Sequence, residues 1–186
     1  MLTYPAPRPA HGKPWLICLD LQRDYVVPGR PRYSAANADV AATCARVLSL
    51  ARTEGWRVVH SQFRASVATP WPRELFGAPI EGLRPLISEP VYFRHGLSAF
   101  TNPGFAAELR GARGDDVFLI GFSLVDTCLA TVLAGVDEEI SLTLVEDAIG
   151  ANEELAAADI ARTLLKPFVR IASSRRLVAR QLEVTH

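Results

Sequence analysis

The segment LIGFSLVDTCLAT, residues 119–131, passes from an apolar strand-like tail through a polar turn into an alanine- and threonine-rich helix start. A strand that gives way to a helix within a few residues is the joint from which parallel α/β sheets are built. Enzymes with such sheets carry chemistry at the bend, beyond the carboxyl ends of the strands. This bend offers three candidate nucleophiles, Ser123, Thr127 and Cys128.

Outward from that joint the pattern repeats. WLICLD (15–20) is a short apolar run that stops at a carboxylate, as a strand buried on both faces would. RVVHSQF (57–63), VYFR (91–94), DVFLIG (116–121), SLTLVED (141–147) and PFVRIASS (167–174) read in the same way. Helical patterns lie between them. Val40, Cys44, Val47, Leu48 and Ala51 share one face of a helix that ends before Gly55. DTCLATVLAGV suits a helix packed inside an α/β layer. Another helix follows the N-cap Asn152 over Glu153–Leu165, and a last one begins near Ser174. Strands alternating with helices predict right-handed crossovers and a six-stranded parallel sheet covered on both faces. The proline-rich stretch 65–90 has no periodicity and is expected to wall the pocket.

The bulk properties narrow the functional classes. At 186 residues the chain is expected to hold a flexible segment over 1–14 and one domain over 15–186. Twenty basic residues balance 20 acidic ones, leaving no electrostatic case for nucleic acid or an anionic membrane. No apolar run is long enough to span a bilayer, and the start of the chain does not read as a signal peptide. Cys18, Cys44 and Cys128 are widely spaced and odd in number, which argues against a disulfide framework and for a reducing cytoplasm. A small-molecule substrate is the expected partner. The chain has no G-x-G-x-x-G after the first strand and no phosphate-binding loop, so no nucleotide cofactor is expected.

Asp20 and Arg94 end the first and third strands. A carboxylate against apolar walls can exchange a proton near neutral pH, or it can simply cap the following loop. Asp24 has the same ambiguity and leans to structure. Arginine brings a permanent charge and a planar fork suited to a carboxylate, whether in a substrate or in Asp20. Cys128 falls in the first turn of a helix, where a thiol is acidified, and is alternatively a packing cysteine. His11, His60, His95 and His186 are scattered, so neither a Ser–His–Asp arrangement nor a metal site follows from their spacing.

Together LICLDLQRDYVVPG, YFRHGLSAF, LIGFSLVDTCLAT and LVEDAIGA resemble the isochorismatase-like, or cysteine hydrolase, superfamily over about residues 15–175. The resemblance implies a three-layer α/β/α sandwich around a six-stranded parallel sheet. In the amidases of that superfamily an Asp–Lys–Cys triad forms an acyl-enzyme, with a non-proline cis peptide and backbone N–H groups shaping the oxyanion hole. Carried over, Asp20 matches the Asp, and Arg94 stands where the Lys is expected. Counting from Gly121 puts Thr127 at the nucleophile position, with Thr131 four residues on; one extra residue in the turn would put Cys128 there instead. The oxyanion hole would then be formed by Thr127 and Cys128. Histidines for the metal site of nicotinamidases are missing from HSQFRAS.

Three readings follow. One is cleavage of an amide or carbamoyl C–N bond with Cys128 as nucleophile, Asp20 as base and Arg94 as charge partner. Another is isochorismatase-type vinyl-ether hydrolysis with Asp20 as general acid and no covalent intermediate. The third is a non-catalytic binding or assembly module. Phe63, Trp71, Phe76 and Phe100 are candidate aromatic walls and Arg64 a candidate for a substrate acid group. The resemblance also implies a homo-oligomer, a dimer or tetramer.

Overall fold

A computed structural model of the chain describes residues 12–64, 77–150, 159 and 162–184. The apolar run Trp15–Leu19 forms β1, and every residue of it is buried because both faces of the strand are covered. It pairs in parallel with β2 (Arg57–Phe63) on one side and β4 (Val117–Gly121) on the other. β3 (Val91–Arg94), β5 (Leu142–Ile149) and β6 (Arg170–Ala172) complete a six-stranded parallel sheet in the order β3-β2-β1-β4-β5-β6. The strands thus match the apolar runs read from the sequence, with the last one shortened to three residues.

One face of the sheet packs on α1 (Asn37–Thr53) through Cys44, Val47, Leu48 and Ala51, and on α4 (Ser174–Val184) through Leu177. The other packs on α2 (Pro103–Arg110) through Phe105 and Leu109, and on α3 (Leu129–Asp137) through Val132. The result is the expected α/β/α sandwich. Helix α1 ends at Thr53, and Gly55 takes the positive φ of 64° that lets the chain turn back into β2. No described helix is long and apolar enough to cross a membrane.

Periodicity does not announce helix α2, although its start is written in the sequence. Asn102 caps it, its Oδ1 accepting from the N–H groups of Gly104 at 2.8 Å and Phe105 at 3.1 Å, and Pro103 takes the first helical position. Most of the helix expected over 153–165 lies outside the described residues, as do segment 1–11, the wall segment 65–76 with Trp71 and Phe76, and Asn152; residues 162–165 are helical.

The topology fixes where a site can form. From β1 the chain moves outward to β2 and β3, then returns to β4 on the opposite side of β1. At that reversal the connections leave β1 and β4 in opposite directions and open a crevice above their carboxyl ends. Leu19 at the end of β1 lies in register with both Ser61 and Gly121, so residues just beyond these three positions converge.

Candidate active site

Asp20 is the first residue past β1 and is fully buried. Its backbone bends at a φ of +46°, a conformation that aspartate tolerates better than most side chains. The carboxylate is held from three other strand ends. Oδ1 accepts from the Phe63 N–H at 2.8 Å and from Arg94 Nη1 at 2.7 Å. Oδ2 accepts from Arg94 Nη2 at 2.7 Å and from the Thr127 hydroxyl at 3.2 Å. This is a bidentate, charge-assisted pair with no solvent exposure on either side chain.

Arg94 occupies this position because β3 ends there and the next turn is pinned. Its Nε donates to the Leu97 carbonyl at 3.2 Å, and the Thr131 hydroxyl of α3 accepts from the Ala99 N–H at 3.0 Å. Nη2 also lies 3.0 Å from the Thr127 hydroxyl, so Thr127 accepts from Arg94 while donating to Asp20. Asp20, Arg94 and Thr127 form one closed network.

The bend after β4 determines that Thr127 is the residue in it. Gly121 sits at a φ of +126°, where a Cβ would stand 1.9 Å from the Leu19 carbonyl oxygen. Only glycine lets β4 pass β1 so closely. The Phe122–Ser123 peptide is cis. Leu124–Cys128 then forms a single π-helical turn rather than the first turn of an α-helix, with the Cys128 N–H bonded to the Ser123 carbonyl at 2.9 Å. Helix α3 starts at Leu129.

The geometry of this turn bears on two expectations. Cys128 has no hydrogen bond to the network among the described residues: it is fully buried in the apolar cluster that includes Leu124 and Val132. Burial pushes its thiol well above the ordinary range, and the charges of Asp126 and Asp20 add to that effect against Arg94. The acidifying helix terminus is outweighed by desolvation, so the thiol keeps its proton. The oxyanion hole expected from Thr127 and Cys128 is not available either. The Thr127 N–H is bonded to Asp126 Oδ1 at 2.5 Å and that of Cys128 closes the π-turn. Both donors are spent within the chain.

The expected pocket walls divide. Phe63 ends β2, half-buried, with its ring centroid 6.0 Å from the Arg94 guanidinium carbon. Arg64 donates its backbone N–H to the Arg94 carbonyl at 2.8 Å, while its guanidinium stacks 3.5 Å over the Phe93 ring on the edge strand. Phe100, partly buried, meets Phe105 edge-on at 5.1 Å and packs against the apolar core of the helical layer. Asp24 stands apart, half-buried, its carboxyl raised to about 6 by burial against the opposing charges of Arg30 and Arg32. His60 bonds through Nε2 to Glu89 at 2.9 Å, and its strand position is in register with Cys18, on the face that packs on α1. Among the described residues no group of three or more His, Cys, Asp or Glu side chains could hold a metal ion.

Sequence reading passes over Tyr25, Arg32 and Phe122. Tyr25 is buried and stacks on Phe122 at 4.8 Å, next to the cis peptide. Arg32 reaches the Tyr25 hydroxyl at 2.6 Å from the loop before α1. Tyr25 and Phe122 lie within the quoted motifs LICLDLQRDYVVPG and LIGFSLVDTCLAT, whereas Arg32 lies in none, and only the folded loop brings it to them.

The family described as the isochorismatase domain matches residues 14–175 of the chain. Similar solved structures include an isochorismatase-like hydrolase from Alkaliphilus metalliredigens, 15% identical with a TM-score of 0.81, covering 91% of this chain and 99% of that one. An isochorismatase from Pseudomonas putida KT2440 is 25% identical with a TM-score of 0.74, covering 92% and 93%. N-carbamoylsarcosine amidase from Thermoplasma acidophilum is 20% identical with a TM-score of 0.74, covering 88% and 97%. Comparison with curated proteins gives no match.

Proposed function

This chain belongs to the isochorismatase family, and from that premise we propose that it is a small-molecule hydrolase that works without a covalent thiol intermediate. The observation that carries the reading is that a threonine hydroxyl, not a thiol, rests on the Asp20–Arg94 pair. A threonine whose only base is a carboxylate is a poor nucleophile, which speaks against an acyl-enzyme on Thr127. Acid catalysis needs no nucleophile from the protein.

On this reading Asp20 relays a proton to the terminal carbon of a vinyl ether or a similarly acid-labile bond, and takes up the one released when water adds. Water captures the resulting oxocarbenium ion, and the hemiketal breaks into a carbonyl compound and an alcohol. Arg94 stabilises the carboxylate that develops on Asp20 as the proton leaves, and its fork fixes the carboxylate plane. Thr127 orients Oδ2. The amide and carbamoyl substrates of the amidase reading are disfavoured by the burial of Cys128.

The test is turnover of isochorismate beside a panel of amides and N-carbamoyl amino acids, with intact-protein mass spectrometry during turnover. Hydrolysis of the vinyl ether with no mass adduct, lost by a factor of about 10²–10⁴ in Asp20→Asn, supports the proposal. An acyl adduct on Cys128 overturns it. A second reading, a non-catalytic binding module, is favoured by one observation: each oxygen of Asp20 already accepts two hydrogen bonds. Ligand binding without turnover of any of these substrates would select it. A homo-oligomer belongs to either reading, and sedimentation measures its size.

A further inference from the structure

Arg32 lies beside the network without belonging to it. Its Nη1 donates to Tyr25 Oη at 2.6 Å, and its guanidinium carbon stands 5.6 Å from the Tyr25 ring centroid and 5.1 Å from that of Phe63. The same Phe63 ring has the Arg94 guanidinium 6.0 Å away, and the Phe63 N–H is bonded to Asp20. One aromatic side chain therefore has two cationic neighbours.

The two cations differ in how they are compensated. Arg94 is matched by Asp20 at 2.7 Å. Arg32 forms no ion pair with any described residue. Asp24, Asp126 and Asp20 act on it only through space. Its hydrogen-bond partner does not neutralise it either. Burial, reinforced by the Asp20 charge, pushes the Tyr25 phenol well above its ordinary range, so that group stays uncharged. A guanidinium has five N–H donors, and one of those of Arg32 is used among the described residues. Stacking on rings leaves the edge donors of an arginine free for the planar, two-oxygen geometry of a carboxylate.

We propose that Arg32 is the specificity-determining residue of this site, binding a carboxylate on the substrate while Phe63 lies along an unsaturated or aromatic frame. The substrate class is then a small organic acid whose reacting bond reaches Asp20. The proposal rests on Asp20, Arg94 and Thr127 being the reacting centre. It replaces Arg64, which is engaged with Phe93.

Isothermal calorimetry with benzoate and its uncharged isostere benzamide tests it without requiring turnover. Benzoate should bind the wild-type protein about tenfold or more tightly than benzamide. Arg32→Gln should erase that preference, Arg32→Lys should keep a weakened one, and Arg64→Gln should leave it unchanged. Circular dichroism checks that each variant is folded. No preference in the wild type overturns the proposal, as does a preference that survives Arg32→Gln. Should Arg32→Gln fail to fold, full wild-type affinity in Arg32→Lys overturns it equally, because a lysine lacks the fork. An Arg32-dependent preference in a protein that turns over no acid keeps the site and removes only the hydrolase reading.

Discussion

Thr127 and Cys128 are adjacent in the chain and belong to different parts of the molecule. The Thr127 hydroxyl lies 3.2 Å from Asp20 Oδ2, inside a polar network, whereas Cys128 is fully buried and counts among the apolar core beneath α3. Cys128→Ala is therefore expected to keep normal turnover within about twofold and to lose only about 1 kcal/mol of stability from a small cavity. Thr127→Ala should lower turnover instead. Iodoacetamide at neutral pH should leave Cys128 unmodified in the folded protein, and rapid alkylation mapped to that residue would sink the assignment.

The fork between Arg94 and Asp20 should resist conservative replacement. A lysine keeps the charge but cannot reach both carboxylate oxygens, Thr127 and the Leu97 carbonyl together. Arg94→Lys is expected to cost about 1–3 kcal/mol in urea denaturation. Arg94→Ala, which strands a buried carboxylate, should cost about 3–5 kcal/mol. Equal stability of all three proteins would contradict the buried pair.

At the other end of β2, Glu89 gives a pH signature. Burial alone would raise its carboxyl, but hydrogen bonds from Arg52, the Leu86 N–H and His60 outweigh that and hold it at about 2 against an ordinary 4.5. A depressed carboxyl stabilises the fold fully above pH 4.5, and that contribution is lost as the pH falls toward and through 2. Glu89→Gln should thus be less stable than wild type by about 1–3 kcal/mol at pH 7. The gap should narrow between pH 4.5 and 2 in thermal melts. A gap of constant size across that interval would mean that the carboxylate is not the origin.

Two glycines with positive φ make a matched pair of tests. Gly121→Ala drives a methyl to 1.9 Å from the Leu19 carbonyl oxygen, and it should cost more than about 3 kcal/mol or prevent folding. Gly29, at a φ of +79°, has open space where a methyl would stand, with no described atom within 4 Å. Gly29→Ala should therefore cost only the conformational strain of about 1 kcal/mol. Similar melting temperatures for the two variants would refute the close passage of β4 over β1.

The sheet is legible in the sequence because strands buried on both faces must be written as unbroken apolar runs, as WLICL and VFLIG are. Asp20 and Arg94 are legible because each terminates such a run. Helix α2 is short enough for periodicity to miss, and only its Asn102–Pro103 start announces it. Counting from Gly121 without a gap leads to Thr127, the residue bonded to Asp20. A turn does not declare in its residues whether it closes as an α or a π turn, so counting alone leaves Cys128 open. Arg32 and Tyr25 need the folded loop, being far in sequence from Phe63 and Phe122.

A single carboxylate also ties together the rim of the sheet. Asp20 is gripped from the ends of β2 and β3 and from the turn after β4, so four neighbouring strands share one knot. The outermost of them, β3, is only four residues long. A guest that competes with Asp20 for the Arg94 guanidinium is therefore expected to loosen that border strand, and one that leaves the pair alone is expected to leave it as it is. Amide exchange at Tyr92 and Arg94 thereby becomes a gauge, reporting from the margin of the sheet what kind of molecule has arrived at its centre.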